Sequence, residues 1–325
     1  MRRREAIALL GGAAITWPLP TRAQHSAKLP IIGFLGASTS AAWVQWVAPF
    51  VQRLHELGWI DGRTITIEYR WGEGRRERYT EIAAEFVRLN VDVIVTGGAA
   101  VPAIKEATSN IPIVFAVAGD PLGEALVASL ARPGGNVTGL SIQRTDMAGK
   151  LLGLLREVLP ELNRLAIIGN ASYPAAVLEM NEVQTVAKAL GIEVTRPEVR
   201  RKENIISAFR GLKEQVQAIY VCTDPLINAN RVRINTFALT DRLPTIHGAR
   251  EYVEAGGLMS YGPNYPALFR RSADFVDKIL RGTKPGEIQV EQPIKFDLVF
   301  NLITAEALGI TIPQSILARA DEVIE

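Results

Sequence analysis

The chain is poor in the residues that build metal clusters and covalent catalytic centres. Its 325 residues include one cysteine, Cys222, and three histidines. A lone cysteine excludes an intramolecular disulfide and a cysteine-based metal cluster, and Cys222, ending an apolar run, reads as a small buried apolar side chain. His25, near the N-terminus, and His55, on an outer helix, lie far along the chain from His247, so no histidine ligand set forms and no metal is expected. Gly-x-Ser-x-Gly and His-Glu-x-x-His are absent, and no carboxylates pair recognisably, which leaves hydrolytic chemistry without a framework. A dominant charge is lacking too. Thirty-six Lys plus Arg against thirty-four Asp plus Glu give a net charge of +2, so nucleic acid is excluded and a small neutral or zwitterionic partner fits.

What is present begins with "MRRREAIALLGGAAITWPLPTRAQ", three arginines before an apolar run from Ala6 to Trp17 and a small-residue corner at Thr21-Arg22-Ala23. This pattern predicts a signal peptide over residues 1–23, cleaved near Ala23, and hence a periplasmic protein. Arg3 and Arg4 raise twin-arginine export, but Ala6 and Ile7 stand where a large apolar residue is expected, and the route stays open. No later segment approaches the roughly 20 apolar residues of a membrane span. No cysteine follows the apolar run to carry a lipid, so the mature chain is expected free in its compartment.

From Leu29 onward, β-branched runs alternate with helical patterns, the grammar of βαβ units and parallel sheets covered on both faces. "IIGFLGAS", "TITIEYRW", "VDVIVTGG" and "IPIVFAVAGDP" are the strands of a first set; "RLAIIGNAS", "IEVTRP", "VQAIYVCTDP" and "LPTIHGAR" repeat it. Two units of one topology predict an α/β protein of two Rossmann-like lobes, the first over 29–140 plus about 261–285, the second over 141–260 plus about 286–325. Crossings are expected at "ARPGGNVTGLSIQ", near Gly256 to Asn264, and near "IQVEQPIKFDLVFN", together a multi-stranded hinge. "ENIISAFRGLKE" reads as one helix.

Ligands of open parallel sheets bind outside the carboxyl ends of strands, where helix N-termini and backbone amides are exposed. Those ends hold Ser38 and Thr39, then Thr96, Gly97 and Gly98, then Asp120 in the first lobe; Asn170 and Tyr173, Thr223 and Asp224, and Arg250 and Glu251 in the second. Ser38 and Thr39 serve equally as helix caps. Thr96-Gly97-Gly98 lacks dinucleotide and phosphate-loop spacing and reads as a tight turn. Asp120 and Asp224 each precede proline, which suits an N-cap with proline at the first helical position, a role compatible with meeting a ligand ammonium. Counting strands makes them inequivalent, because "VIVTGG" matches "IYVCTD" and "VFAVAGD" matches "TIHGARE". Trp43 and Trp46 read as core, with Trp43 the weaker candidate for the cleft mouth; Tyr261 stacks on a ligand ring or packs between lobes.

The stretches "ELGWIDGRTITIEYRW", "IPIVFAVAGDPLGEALVASLARPGGNVTGLS", "LLREVLPEL" and "ALGITIPQSILARADEVIE" resemble the exported substrate-binding proteins of ABC transporters, in the branch with tryptophan- and tyrosine-binding members. The resemblance covers about Leu29 to Glu325. It implies a type I periplasmic-binding-protein fold closing on a small solute by hinge motion, with Ser141 at the hinge, a membrane permease as partner, a monomeric state and no cofactor. Trp43, Trp46 and "GNASY" depart from the family pattern and bear on the ligand. A ligand-sensing periplasmic module and an enzyme on the same scaffold are the competing functions.

Overall fold

A computed structural model describes residues 28–142 and 147–325; the expected signal peptide lies outside these residues. The first layer comprises β1 (Ile31–Gly36), α1 (Ser40–Glu56), β2 (Thr66–Trp71), α2 (Arg76–Leu89), β3 (Val93–Gly97), α3 (Val101–Ala107), β4 (Ile113–Ala118) and β5 (Val137–Ser141). Its five-stranded sheet has the order β2-β1-β3-β4-β5, every pairing parallel.

The second layer comprises α4 (Ala148–Val158), β6 (Arg164–Ile168), α5 (Pro174–Ala189), β7 (Glu193–Thr195), α6 (Asn204–Phe209), α7 (Leu212–Gln215), β8 (Ala218–Val221), α8 (Pro225–Ala229), α9 (Arg231–Thr240), β9 (Thr245–His247), α10 (Arg250–Glu254) and β10 (Met259–Pro263). After α11 (Tyr265–Leu280) come β11 (Phe296–Asn301), α12 (Leu302–Leu308), α13 (Gln314–Leu317) and β12 (Glu322–Ile324). The seven-stranded sheet runs β12-β11-β10-β9-β8-β6-β7. Strand alternation assigns its two faces. Leu165, Ile167, Ala218, Tyr220 and Cys222 point to one apolar cluster, whereas Ala166, Ile168, Ile219 and Val221 point to another that continues into the first layer.

The layers exchange their ends. β5 leads into α4, which packs on α5, and β10 leads into α11, which packs along α1 and β4 of the first layer. The chain then runs beside β5, with Ile288 and Val290 buried and the Glu291 amide donating to the Gly139 carbonyl at 3.1 Å, before returning as β11. Arriving from the opposite direction, β11 pairs antiparallel with β10, so the second sheet is not wholly parallel.

One expectation gains detail and one changes. Within the stretch expected to cross, Pro133-Gly134-Gly135 is a turn feeding β5, with both glycines at positive φ, and the chain leaves the first sheet after Ser141. The helix expected over 203–214 is broken: Gly211 adopts φ +69 between α6 and α7, a conformation that ends helical hydrogen bonding.

Candidate functional site

The carboxyl ends of the two sheets face one cleft. A small central cavity is lined from the first layer by Trp43, Trp46, Gly98 and Val117, and from the second by Tyr173, Thr223, Asp224, Pro225 and Asn228, with Tyr265 of α11 beside them. A larger mouth cavity shares Tyr173 and Pro225 with it and adds Arg76, Tyr79 and Glu124. Gly98 adopts φ +60, which glycine tolerates best, and a side chain there would project into open space.

Aromatic stacking shapes one wall. Trp46 lies 4.9 Å from the Tyr265 ring at 22° and 5.6 Å from Phe269 at 28°, and Trp43 sits 5.4 Å from Trp46. The indole N–H of Trp46 donates to the carboxylate of Glu251, on α10 of the opposite layer. Glu251 is 3% exposed. Burial raises its pKa above the ordinary carboxylate value, and the Trp46 bond opposes that shift. Ser38, also buried, makes a second bridge, its hydroxyl donating to the Pro225 carbonyl at 3.4 Å.

The two aspartates do different work. Asp224 caps α8, with Oδ1 accepting from the Ile227 amide at 3.0 Å and Oδ2 from the Asn170 amide at 2.9 Å, so both oxygens are engaged. No helix follows Asp120, contrary to the capping expectation. Its Oδ1 accepts from the amides of Leu122 and Gly123 at 3.2 and 2.9 Å, and its own amide donates to Glu124 Oε1 at 3.1 Å. The turn stops at Ala125, which adopts φ +52, outside the helical region. Asp120 Oδ2 accepts no hydrogen bond among the described residues.

Of the candidates, Gly98, Tyr173, Thr223 and Asp224 meet at the central cavity. Thr39 is spent on the helix cap, accepting from the Ala42 amide at 3.3 Å. Asn170 Oδ1 accepts from the Ser172 amide at 2.9 Å, shaping the loop before Tyr173. Gly97 packs tightly, since a Cβ there would lie 2.7 Å from Val117. Ser141 is buried at the end of β5, its amide donating to the Glu291 carbonyl at 2.9 Å.

Three candidates face elsewhere. Thr96 is sealed in the sheet, its hydroxyl donating to the Leu35 carbonyl at 2.9 Å. Arg250 pairs with Glu254 at 3.2 Å and Glu322 at 2.6 Å, tying α10 to β12. Tyr261 stacks on Phe296 at 5.7 Å within the β10–β11 pair, with the Lys150 ammonium 5.7 Å from its ring centre.

Sequence reasoning missed Asn228, Tyr265 and the interlobe role of Trp46. The available signals were a polar residue one turn into the helix after Asp224, an aromatic opening the helix after the second crossing, and paired tryptophans on the helix after β1. His247 is fully buried, stacks on Tyr252 at 4.8 Å and lies 2.9 Å from the Thr245 hydroxyl; burial pushes its imidazole down to about 3. Among the described residues no cluster of three or more metal-ligating side chains occurs, and no helix is long and apolar enough to cross a membrane.

Residues 40–324 match the family described as ABC transporter substrate binding protein. A tyrosine-binding protein of Clostridioides difficile (strain R20291) is 27% identical over 264 residues, 80% of this chain and 75% of that protein. The crystal structure of a conserved domain protein from Vibrio cholerae overlays with a TM-score of 0.86 at 30% identity, covering 91% of this chain and all of that one (100%). An ABC domain from Streptococcus pneumoniae in complex with L-Trp overlays at 0.85 with 26% identity, again covering 91% and 100%.

Proposed function

The chain belongs to the ABC transporter substrate-binding protein family, and we propose that it captures a small amino-acid-like organic solute between its two layers and delivers it to a membrane permease after export. The observation that carries this reading is the central cavity, built from both layers, with aromatic walls and Thr223 and Asn228 among its lining. Such a mix of apolar surface with a few convergent polar groups is the usual make-up of a small-molecule site. The L-Trp complex of the Streptococcus pneumoniae relative and the tyrosine-binding protein of Clostridioides difficile support an amino acid as the solute class.

Asp120 lines neither cavity but its amide donates to Glu124 of the mouth, and it keeps one carboxylate oxygen unengaged for a solute ammonium there, whereas Asp224 has committed both. Closure is then favoured because the solute contacts both layers only when they meet, and the Trp46–Glu251 and Ser38–Pro225 bonds form in that same arrangement. The crossings after Ser141, at Pro263 to Tyr265 and before Phe296 supply the hinge strands of this reading. The solute is bound and released unchanged by a monomer that needs no cofactor. His247, sealed and neutral, takes no part.

The test is a melting-temperature series with amino acids, aromatic acids, nucleosides and sugars. At least one amino acid should raise the midpoint by several degrees at millimolar concentration. Stabilisation by sugars or nucleosides alone would overturn the amino-acid reading.

A further inference from the structure

The central cavity holds two buried polar side chains whose hydrogen-bonding atoms meet nothing among the described residues. Asn228, 3% exposed, has neither Oδ1 nor Nδ2 engaged, and Thr223, 8% exposed, has an unengaged Oγ1. Both line the cavity beside Trp43, Trp46 and Tyr265. Buried polar atoms are ordinarily paired, and two unpaired side chains in the wall of one cavity mark where a bound group supplies the partners, although Thr223 also borders the space beside Gly248.

The chemistry of those atoms narrows the group. A carboxamide offers donors and an acceptor, and a hydroxyl offers both. An ionised carboxylate uses only the donors and an ammonium only the acceptors, so either leaves some of these atoms unmatched. The charged side chain of this cavity, Asp224, has committed both oxygens to the Ile227 and Asn170 amides at 3.0 and 2.9 Å. Charged side chains line the mouth instead, where Arg76 and Glu124 stand. The two spaces have Tyr173 and Pro225 in common in their walls.

We propose that Thr223 and Asn228 read a neutral head group carrying both a donor and an acceptor, a hydroxyl or a carboxamide, and orient the solute with that head inward and its charged end at the mouth. The inference rests on the amino-acid reading above and adds to it the residues that set specificity. Among aromatic probes a phenol meets the requirement, whereas a phenyl ring leaves both side chains unsatisfied.

The experiment is titration calorimetry of the full protein and of Asn228→Leu and Thr223→Val, with L-tyrosine, L-phenylalanine, L-glutamine and L-glutamate. The parent protein should prefer tyrosine to phenylalanine, or glutamine to glutamate, by roughly ten- to a hundredfold. Each substitution should shrink that ratio toward one by weakening tyrosine or glutamine more than phenylalanine or glutamate. Melting of the ligand-free variants should match or exceed the parent's, because apolar side chains replace unpaired polar atoms; a structural role would lower it. Should Asn228→Leu fail to fold, the near-isosteric Thr223→Val carries the test. Ratios that are flat in the parent, or unchanged in the variants, overturn the head-group inference and leave the solute reading standing. Binding of no amino acid at all overturns both.

Discussion

Trp46 and Glu251, 205 residues apart in sequence, meet across the cleft, the indole N–H of α1 donating to the carboxylate of α10. The contact joins the two layers through side chains alone. Its acceptor is buried, so loss of the contact leaves a carboxylate short of a partner between the layers.

Trp46→Phe keeps an aromatic ring against Tyr265 and Phe269 but removes the donor. Glu251 then remains buried without its partner, a change worth roughly 1–3 kcal/mol. Both the melting temperature and the affinity for any stabilising solute should fall, the latter by roughly tenfold, as the closed arrangement loses population. Calorimetry and melting curves that match the parent protein would detach this bond from closure.

The pH dependence of stability separates Glu251 from His247. Burial raises the Glu251 pKa, with Glu254 adding to the rise and Arg231 and the Trp46 bond opposing it. A raised carboxylate contributes stability in full below the unfolded value of 4.5, and that contribution is lost as pH climbs through its higher folded value. His247 works the other way. Its pKa, lowered from 6.5 to about 3, means stability is lost as pH falls below 6.5. Glu251→Gln keeps an acceptor for Trp46 and removes only the first effect. The variant should melt above the parent at pH 7.5 and approach it at pH 4.5; a parent advantage that grows with pH would reverse the assignment.

Asp120→Ala and Asp224→Ala should part company. Asp224 caps a helix and anchors the β6 loop, so its loss should cost roughly 1–3 kcal/mol in chemical denaturation, with weaker solute binding as a consequence. Asp120 holds an exposed turn, and its loss should leave stability within about 1 kcal/mol while weakening binding of solutes with an ammonium. Equal stability losses from the two substitutions would contradict this division.

The inequivalence of these aspartates was legible by counting strands, and the sheet orders show why. β3 and β8 occupy matching places in β2-β1-β3-β4 and β7-β6-β8-β9, so Asp224 follows the counterpart of β3 and matches Gly98, whereas Asp120 follows the counterpart of β9. Strand runs, helix alternation and the small residues at strand ends are local signals, and each set a visible element. What stayed hidden is non-local. Whether Trp46 fills a core or wedges between layers depends on Glu251, and one helical face of apolar residues looks the same in both cases. Nor does a short helix reveal that Asn228 opens on a cavity. The turn after Asp120 failed as a helix because Ala125 takes a left-handed conformation, which no residue type there announces.

Two glycines, Gly262 in β10 and Gly98 in the cavity wall, should respond differently to a methyl group. A Cβ at Gly262 would lie 1.9 Å from the Gly248 carbonyl oxygen, a backbone clash at the crossing into α11, and Gly262→Ala should lose at least roughly 2 kcal/mol. At Gly98 the space is open but φ is +60, so Gly98→Ala should lose only the conformational penalty, roughly 1–2 kcal/mol. Urea denaturation of both variants checks the order, and a milder effect at Gly262 would count against the β9–β10 geometry.

The most direct test of capture between the layers is a crystal structure with the amino acid that most raises the melting temperature. Its density should lie between Trp43 and Trp46 on one side and Thr223 and Asn228 on the other, extending toward Arg76 and Glu124. Density confined to an outer face, with the central cavity holding only water, would contradict the interlobe site.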